Sequence, residues 1–430
     1  MPSNKKNILL IALLLIALVG AGFAYWYFMF TTPSTSTGTS NTGIFGFQPF
    51  GRTPTGNSTI PQNNNIGPGS NSTSTPSTVV IPTLRLLSDA PVGGYGASTT
   101  PSETVVRWVD RGRGNVFEIS SNTLDTTLIS NTLVPRSYTS VWNKNLTSFI
   151  SSILEDGIQD ATTLYASLQS RPKSTVSSTT PSNTFAPYEL KGRQLPENMI
   201  TYAASPRKDS IFMLINENGT GVGYVSTFEG TGLTRIFDTP STQLTAEWPE
   251  ENTIAITTKP SFDQGGFLYF VNPKTGTWKK VLGPVNGLST RISRDGKYIL
   301  ASFSNSTGNL VTSFYTISSG TASDPSIQTL AEKCVWGNFY KQIVYCAVPT
   351  QTPTATYPDD WHKGKVSFSD KIWQVNVLTG EVTLLTSLAD KADRIIDAVN
   401  LQLDDRDDFL FFVNKTDLSL WSLDLVANNN

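Results

Sequence analysis

From residue 83 onward the chain is filled by short apolar runs separated by turn residues, and no stretch there keeps a helical period. Several runs are continuous rather than alternating, at 105–109, 211–215, 343–348 and 409–413. Runs this short, rich in aromatic and β-branched residues, predict strands buried on both faces. Each follows a turn with a similar lead-in. With Trp142, Ala204, Trp248, Ile292, Trp336 and Asn400 as markers, the separations are 62, 44, 44, 44 and 64. Stepping back by 44 from Trp142 reaches Ser98, just ahead of the first run. The two long intervals each hold one insertion, a Ser/Thr/Pro stretch around 171–186 and a loop around 349–368.

Further strands recur inside each unit. Third strands are expected at 116–119, 267–271, 372–375 and 418–421, and outer strands at 125–129, 233–237, 277–282 and 381–385. Asn272-Pro273-Lys274-Thr275-Gly276 and Leu378-Thr379-Gly380 have the residue types of tight turns. Four short strands repeating every 44 residues or so describe a propeller blade. The last unit, 395–425, holds only three strands, and the missing fourth stands at 83–88. Pairing the two closes the ring and hides both sheet edges. The expectation is an all-β, seven-bladed β-propeller over 80–426, with six or eight blades if one long interval divides differently, and a tail at 427–430.

The N-terminal pattern is different. Lys5 and Lys6 precede an uncharged apolar run over 8–30. As a helix at about 1.5 Å per residue it reaches roughly 34 Å, enough for a bilayer core of about 30 Å. Tyr25, Trp26 and Tyr27 stand near its far end, where such rings favour the headgroup level. The next positive charge is Arg52, so the positive-inside rule places residues 1–7 in the cytoplasm and the remainder outside. A cleaved signal peptide ending near Gly22-Phe23-Ala24 is the alternative, and it also exports the remainder. Residues 31–79 are Thr, Ser, Gly, Asn and Pro with one charge, too polar to offset their ordering entropy, and are expected to form a flexible linker. One apolar island at 44–50 interrupts it, read as a docking motif or as a sticky patch.

Ser293-Arg294-Asp295-Gly296-Lys297-Tyr298-Ile299 resembles the S-x-D-G-K lead-in of TolB-like, WD-repeat-like propeller blades. Ser205-Pro206-Arg207-Lys208-Asp209 and Trp142-Asn143-Lys144-Asn145-Leu146 are weaker copies. The overall plan resembles uncharacterised membrane-anchored bacterial propellers. The resemblance implies a scaffold that binds proteins, peptides or glycans, or the non-catalytic half of a peptidase, and fixes no activity.

Composition narrows the chemistry. Charged residues make up 15% of the chain and the formal net charge is −2, so no basic excess is present to neutralise nucleic-acid phosphates. One histidine and two cysteines leave few zinc ligands, and no metal or other cofactor is expected. No nucleophile elbow or phosphate-binding loop is present. Candidate binding residues lie in the 349–368 insertion: Tyr357, Asp359, Asp360, Trp361 and His362. Long loops on rigid scaffolds often carry recognition, and Trp361 could anchor a partner or stack on a sugar; the alternative is a loop that packs on its own blade. Asp404-Asp405-Arg406-Asp407-Asp408 is a calcium-like cluster of carboxylates or a charged hairpin tip. Trp142, Trp248 and Trp336 are expected to pack between blades. Cys334 and Cys346 flank a turn almost symmetrically, as a disulfide or as two buried thiols.

The function these features favour is that of a membrane-tethered, extracytoplasmic module binding a protein or envelope polymer, not an enzyme. The alternatives are a glycan-active envelope enzyme using channel carboxylates and a structural spacer.

Overall fold

The structure, a computed structural model, describes residues 81–154, 161–171 and 186–428. The expected span at 8–30, the linker at 31–79 with its apolar island, and the last two residues of the tail lie outside the described residues. Among the described residues no helix is long and apolar enough to cross a membrane.

The described residues form antiparallel sheets with only short helical turns between them, such as Asp359–His362 and Leu388–Ala392. Five sheets have four strands and one has eight. The simplest are up-and-down meanders, as in Met199–Ala204, Ser210–Glu217, Thr220–Thr227 and Thr234–Thr239. The eight-stranded sheet is two such meanders, one starting at Val92–Thr99 and the other at Ser137–Trp142. They join through a single parallel bridge between Ser130 and Tyr188. One sheet departs from chain order. Leu84–Ser88 pairs antiparallel with Leu420–Asp424, with Leu84 opposite Leu423 and Leu86 opposite Trp421.

The runs read as doubly covered are the second strands of their meanders. Ser210–Glu217, Ile343–Pro349 and Phe409–Asn414 are buried along nearly their whole length. The reason is that apolar clusters fill the spaces between successive sheets. Phe212, Phe237, Trp248, Ile254 and Ile256 fill one such space, and Ala255, Leu268, Ile292 and Ile299 the next. Another joins the two ends of the domain, with Leu87, Tyr95 and Trp108 packed on Phe411, Val413 and Leu420. Burying each large apolar side chain contributes about 1.5–3 kcal/mol. Near the axis the sheets approach so closely that a Cβ on Gly96 would stand 2.7 Å from Trp142 Cβ and 2.8 Å from Leu146 Cδ2. Trp142, Trp248 and Trp336 are all buried; Trp142 lies 4.7 Å from Phe149 between ring centroids, and Trp336 donates its indole N–H to Arg291 O at 3.1 Å.

The lead-in turns have a common construction. The residue after the first strand caps the turn by accepting two backbone N–H groups, four and five positions on. Asn143 takes Thr147 and Ser148, Ser205 takes Asp209 and Ser210, Ser293 takes Lys297 and Tyr298, and Asp404 takes Asp408 and Phe409. The third residue after each cap has positive φ: Leu146 at 55°, Lys208 at 54°, Gly296 at 68° and Asp407 at 62°. Asn400 is not at the strand end, as its use as a marker assumed. Ala398–Leu403 runs on past it through an irregularity between Val399 and Gln402, and the cap is Asp404.

Cys334 and Cys346 face each other in antiparallel register and are joined as a disulfide, with sulfurs 2.08 Å apart. The link ties the first strand of that sheet, Cys334–Trp336, to the second.

Candidate binding site at the channel mouth

The first strands of all the meanders line one central cavity of about 640 Å³. It opens where those strands end and their capped turns begin, so the turns deliver side chains to one rim. Lys144, Lys208, Arg291, Arg294 and Lys341 line it, against the two carboxylates of Glu247 and Asp405. Among the described residues, none of the five basic side chains has a hydrogen-bond or ion-pair partner. Some basic groups elsewhere are paired, as are Arg107 with Glu118 at 2.6 Å, Arg235 with Asp238 at 2.5 Å and Lys365 with Asp360 at 2.8 Å. Crowding shows in the titration. Burial pushes the Lys208 ammonium down to about 8, and Arg294 adds to this while Asp405 opposes it. Burial also raises the Glu247 carboxyl, against the pull of Arg291 and Arg294. Five cations against two carboxylates around one cavity favour an anionic ligand.

The residues expected to bind a ligand lie elsewhere. Their loop joins Ile343–Pro349 to Asp370–Asn376, at the end of the sheet opposite the capped turns. Tyr357 and Trp361 are 2% and 4% exposed, packed with Leu310, Leu330 and Phe368. The Tyr357 hydroxyl donates to Pro353 O at 2.7 Å, and Trp361 Nε1 donates to Asp397 Oδ2 at 3.0 Å. Asp359 accepts from Phe262 N at 2.7 Å, and Asp360 from Thr356 N at 2.9 Å. His362 Nε2 lies 2.9 Å from Glu332 Oε2, itself held by Ser289. Burial lowers the His362 pKa, but the Glu332 carboxylate outweighs it and the net shift is upward. The stacking expected of Trp361 therefore gives way to packing: its ring is part of a plug that braces the loop against neighbouring sheets.

The acidic cluster also disperses. Asp404 caps its own turn and accepts from Thr99 and Thr104 of the first sheet, both at 3.1 Å. Asp407 reaches the preceding sheet, accepting from Asn338, Phe339 and Tyr340 N at 2.8–3.1 Å. Only Asp405 of the five lines the cavity. Among the described residues no group of three or more His, Cys, Asp or Glu is placed to hold a metal.

The basic rim was missed because each turn supplies only one or two of its members. The signal lay in aligning the lead-ins, where Lys144, Lys208 and Arg294 fall within three positions of the cap and Lys341 stands in the turn after Trp336.

No protein-family profile matches this chain, and no curated protein matches it. Solved structures do. An oligogalacturonate lyase from Vibrio parahaemolyticus is 11% identical, with a TM-score of 0.50, covering 80% of this chain and 92% of that one. TolB from Acinetobacter baumannii is 12% identical, with a TM-score of 0.40 over 65% of this chain and 61% of that one. A puromycin-hydrolyzing peptidase of Mycobacterium tuberculosis is 12% identical, with a TM-score of 0.46 over 77% and 53%. This chain thus spans between half and two thirds of the length of the latter two. At these identities the likeness concerns the fold: a β-propeller resembling TolB and TolB-like propellers. A fold by itself fixes no activity, so function must come from the site.

Proposed function

We propose that this chain is a binding module, tethered to a membrane by residues 8–30 and held outside the cytoplasm on the 31–79 linker. Its domain is a seven-bladed ring, the eight-stranded sheet counting as two blades, and it takes an anionic stretch of a protein or envelope polymer at the channel mouth. The observation that carries this reading is the set of five basic side chains, against two carboxylates, around one cavity. The glycan-active enzyme needs a pair of carboxylates acting as acid and base. The cavity lining, with five basic groups against two acidic ones, favours binding.

The test is affinity of the full chain, purified in detergent, for poly-L-glutamate and polygalacturonate. Both are expected to bind, more weakly as salt rises. Lys208→Met and Arg294→Met should each weaken binding about tenfold, in line with the loss of one charge-assisted contact. Affinity should also fall as pH rises through about 8, where Lys208 loses its proton. Failure of both polyanions to bind at low salt would remove the reading. The tether is tested separately: an alkaline phosphatase fused after residue 80 should be active, and one fused after residue 7 inactive.

A further inference from the structure

The turn that carries Lys341 presents a second kind of surface beside the basic one. Phe339 and Tyr340 are 65% and 51% exposed, adjacent, and packed edge to face with ring centroids 4.9 Å apart. Exposed aromatics on a loose turn would collapse or wander. Here the turn is fixed from across the blade boundary: Asp407 accepts the N–H groups of Asn338, Phe339 and Tyr340, and Asn338 Nδ2 donates to Leu403 O and Asp404 O at 3.2 and 3.0 Å. Gly337 starts the turn because a Cβ there would stand 2.3 Å from Tyr340 O. A rigid pair of this kind loses little conformational entropy when it meets a partner.

The turn also separates two hollows. Asn338 and Lys341 line the basic cavity, while Tyr340 lines a neighbouring hollow of about 480 Å³ that mixes apolar side chains such as Ile343 and Val426 with Gln342, Arg406, Asp407 and Asp408. We infer that this rim is the apolar half of the binding site, and that its occupant is an acidic peptide segment of a partner protein. The segment's carboxylates sit among the channel cations while one of its apolar side chains lies on the exposed Phe339–Tyr340 pair. The inference rests on the anion-binding reading above and adds the partner class. A sugar ring suits the rim less well, because the edge-to-face pair Phe339–Tyr340 offers no flat platform for stacking.

The experiment compares three probes on the full chain: poly-L-glutamate, a random glutamate–tyrosine copolymer of equal length, and polygalacturonate. The copolymer is expected to bind about tenfold tighter than polyglutamate, the scale of one buried aromatic contact. The double variant Phe339→Ala/Tyr340→Ala should erase that advantage and leave polyglutamate affinity unchanged, with an unaltered thermal midpoint. Equal affinities for copolymer and polyglutamate, or an advantage that survives the double variant, would overturn the inference while leaving anion binding intact. Polygalacturonate binding that depends on Phe339 and Tyr340 would assign the rim to a glycan and overturn it too. Loss of all polyanion binding would remove both readings together.

Discussion

Lys333 is a fully buried ammonium held between two fully buried carboxylates, 2.8 Å from Asp370 Oδ2 and paired with Asp397. Asp397 also accepts from Trp361 Nε1 and Phe368 N, both at 3.0 Å, which fastens the 349–368 loop to the core. Two carboxylates against one ammonium leave an excess negative charge. Burial accordingly pushes the Asp370 carboxyl up to about 6, Lys333 opposing and Asp397 assisting. With the folded pKa above the ordinary 3.8, this group's stabilising contribution is complete below about pH 4 and is lost as pH rises through about 6. Asp370→Asn should therefore flatten the dependence of the urea midpoint on pH between 4 and 6. Lys333→Met should cost about 3–5 kcal/mol at pH 7, since it strands two charges where water cannot reach. No sequence pattern marks this trio, because its members come from a 3-10 turn, a strand and a loop far apart in the chain and meet only on folding.

At the scale of the element, the capped turn explains why the lead-in motif is clear once and faint elsewhere. A cap that accepts two N–H groups is kept as Asn143, Ser205, Ser293 and Asp404, so any small polar acceptor serves. The third position after it needs positive φ, which costs an L-residue about 1–2 kcal/mol. Gly296 meets the need directly, with nothing closer than 4.0 Å to a built Cβ. The other turns accept the strain and use the side chain: Leu146 packs on Gly96, Lys208 faces the cavity, and Asp407 clasps the 338–340 turn. Gly296→Ala should cost about 1 kcal/mol, through backbone conformation alone. Asp407→Gly should relieve similar strain yet destabilise by about 2 kcal/mol or more, because three N–H groups lose a charged acceptor. If urea denaturation found Asp407→Gly neutral, the clasp would not be a stabilising device. The motif was legible where glycine stands, and illegible where blade contact replaced it.

At the scale of the whole molecule, the repeat spacing was readable because the units marked by Ala204, Trp248, Ile292 and Trp336 follow one another at 44 residues, and insertions lengthen only two intervals. The opening strand was identifiable for a simpler reason: an outer-strand pattern stood at 83–88 with no unit ahead of it. The binding face was not legible in the same way. A loop rich in aromatics looks like a recognition loop, but Tyr357 and Trp361 were spent on its own core. A chain beginning at residue 90 would leave Leu420–Asp424 as an exposed edge, whereas one beginning at residue 78 would keep it covered. Size-exclusion chromatography should find the longer form monodisperse and the shorter aggregated. Monodisperse behaviour of the shorter form would show that the seam is dispensable.

That seam also sets a timetable. The segment that mates with Leu84–Ser88, Leu420–Asp424, is synthesised about 330 residues later. At about 5–20 residues per second, the opening strand waits unpaired for tens of seconds behind the ribosome. During that interval the chain has only open arcs of sheet to form, and a thread that cannot yet lock is one that can still be passed lengthwise through a narrow pore.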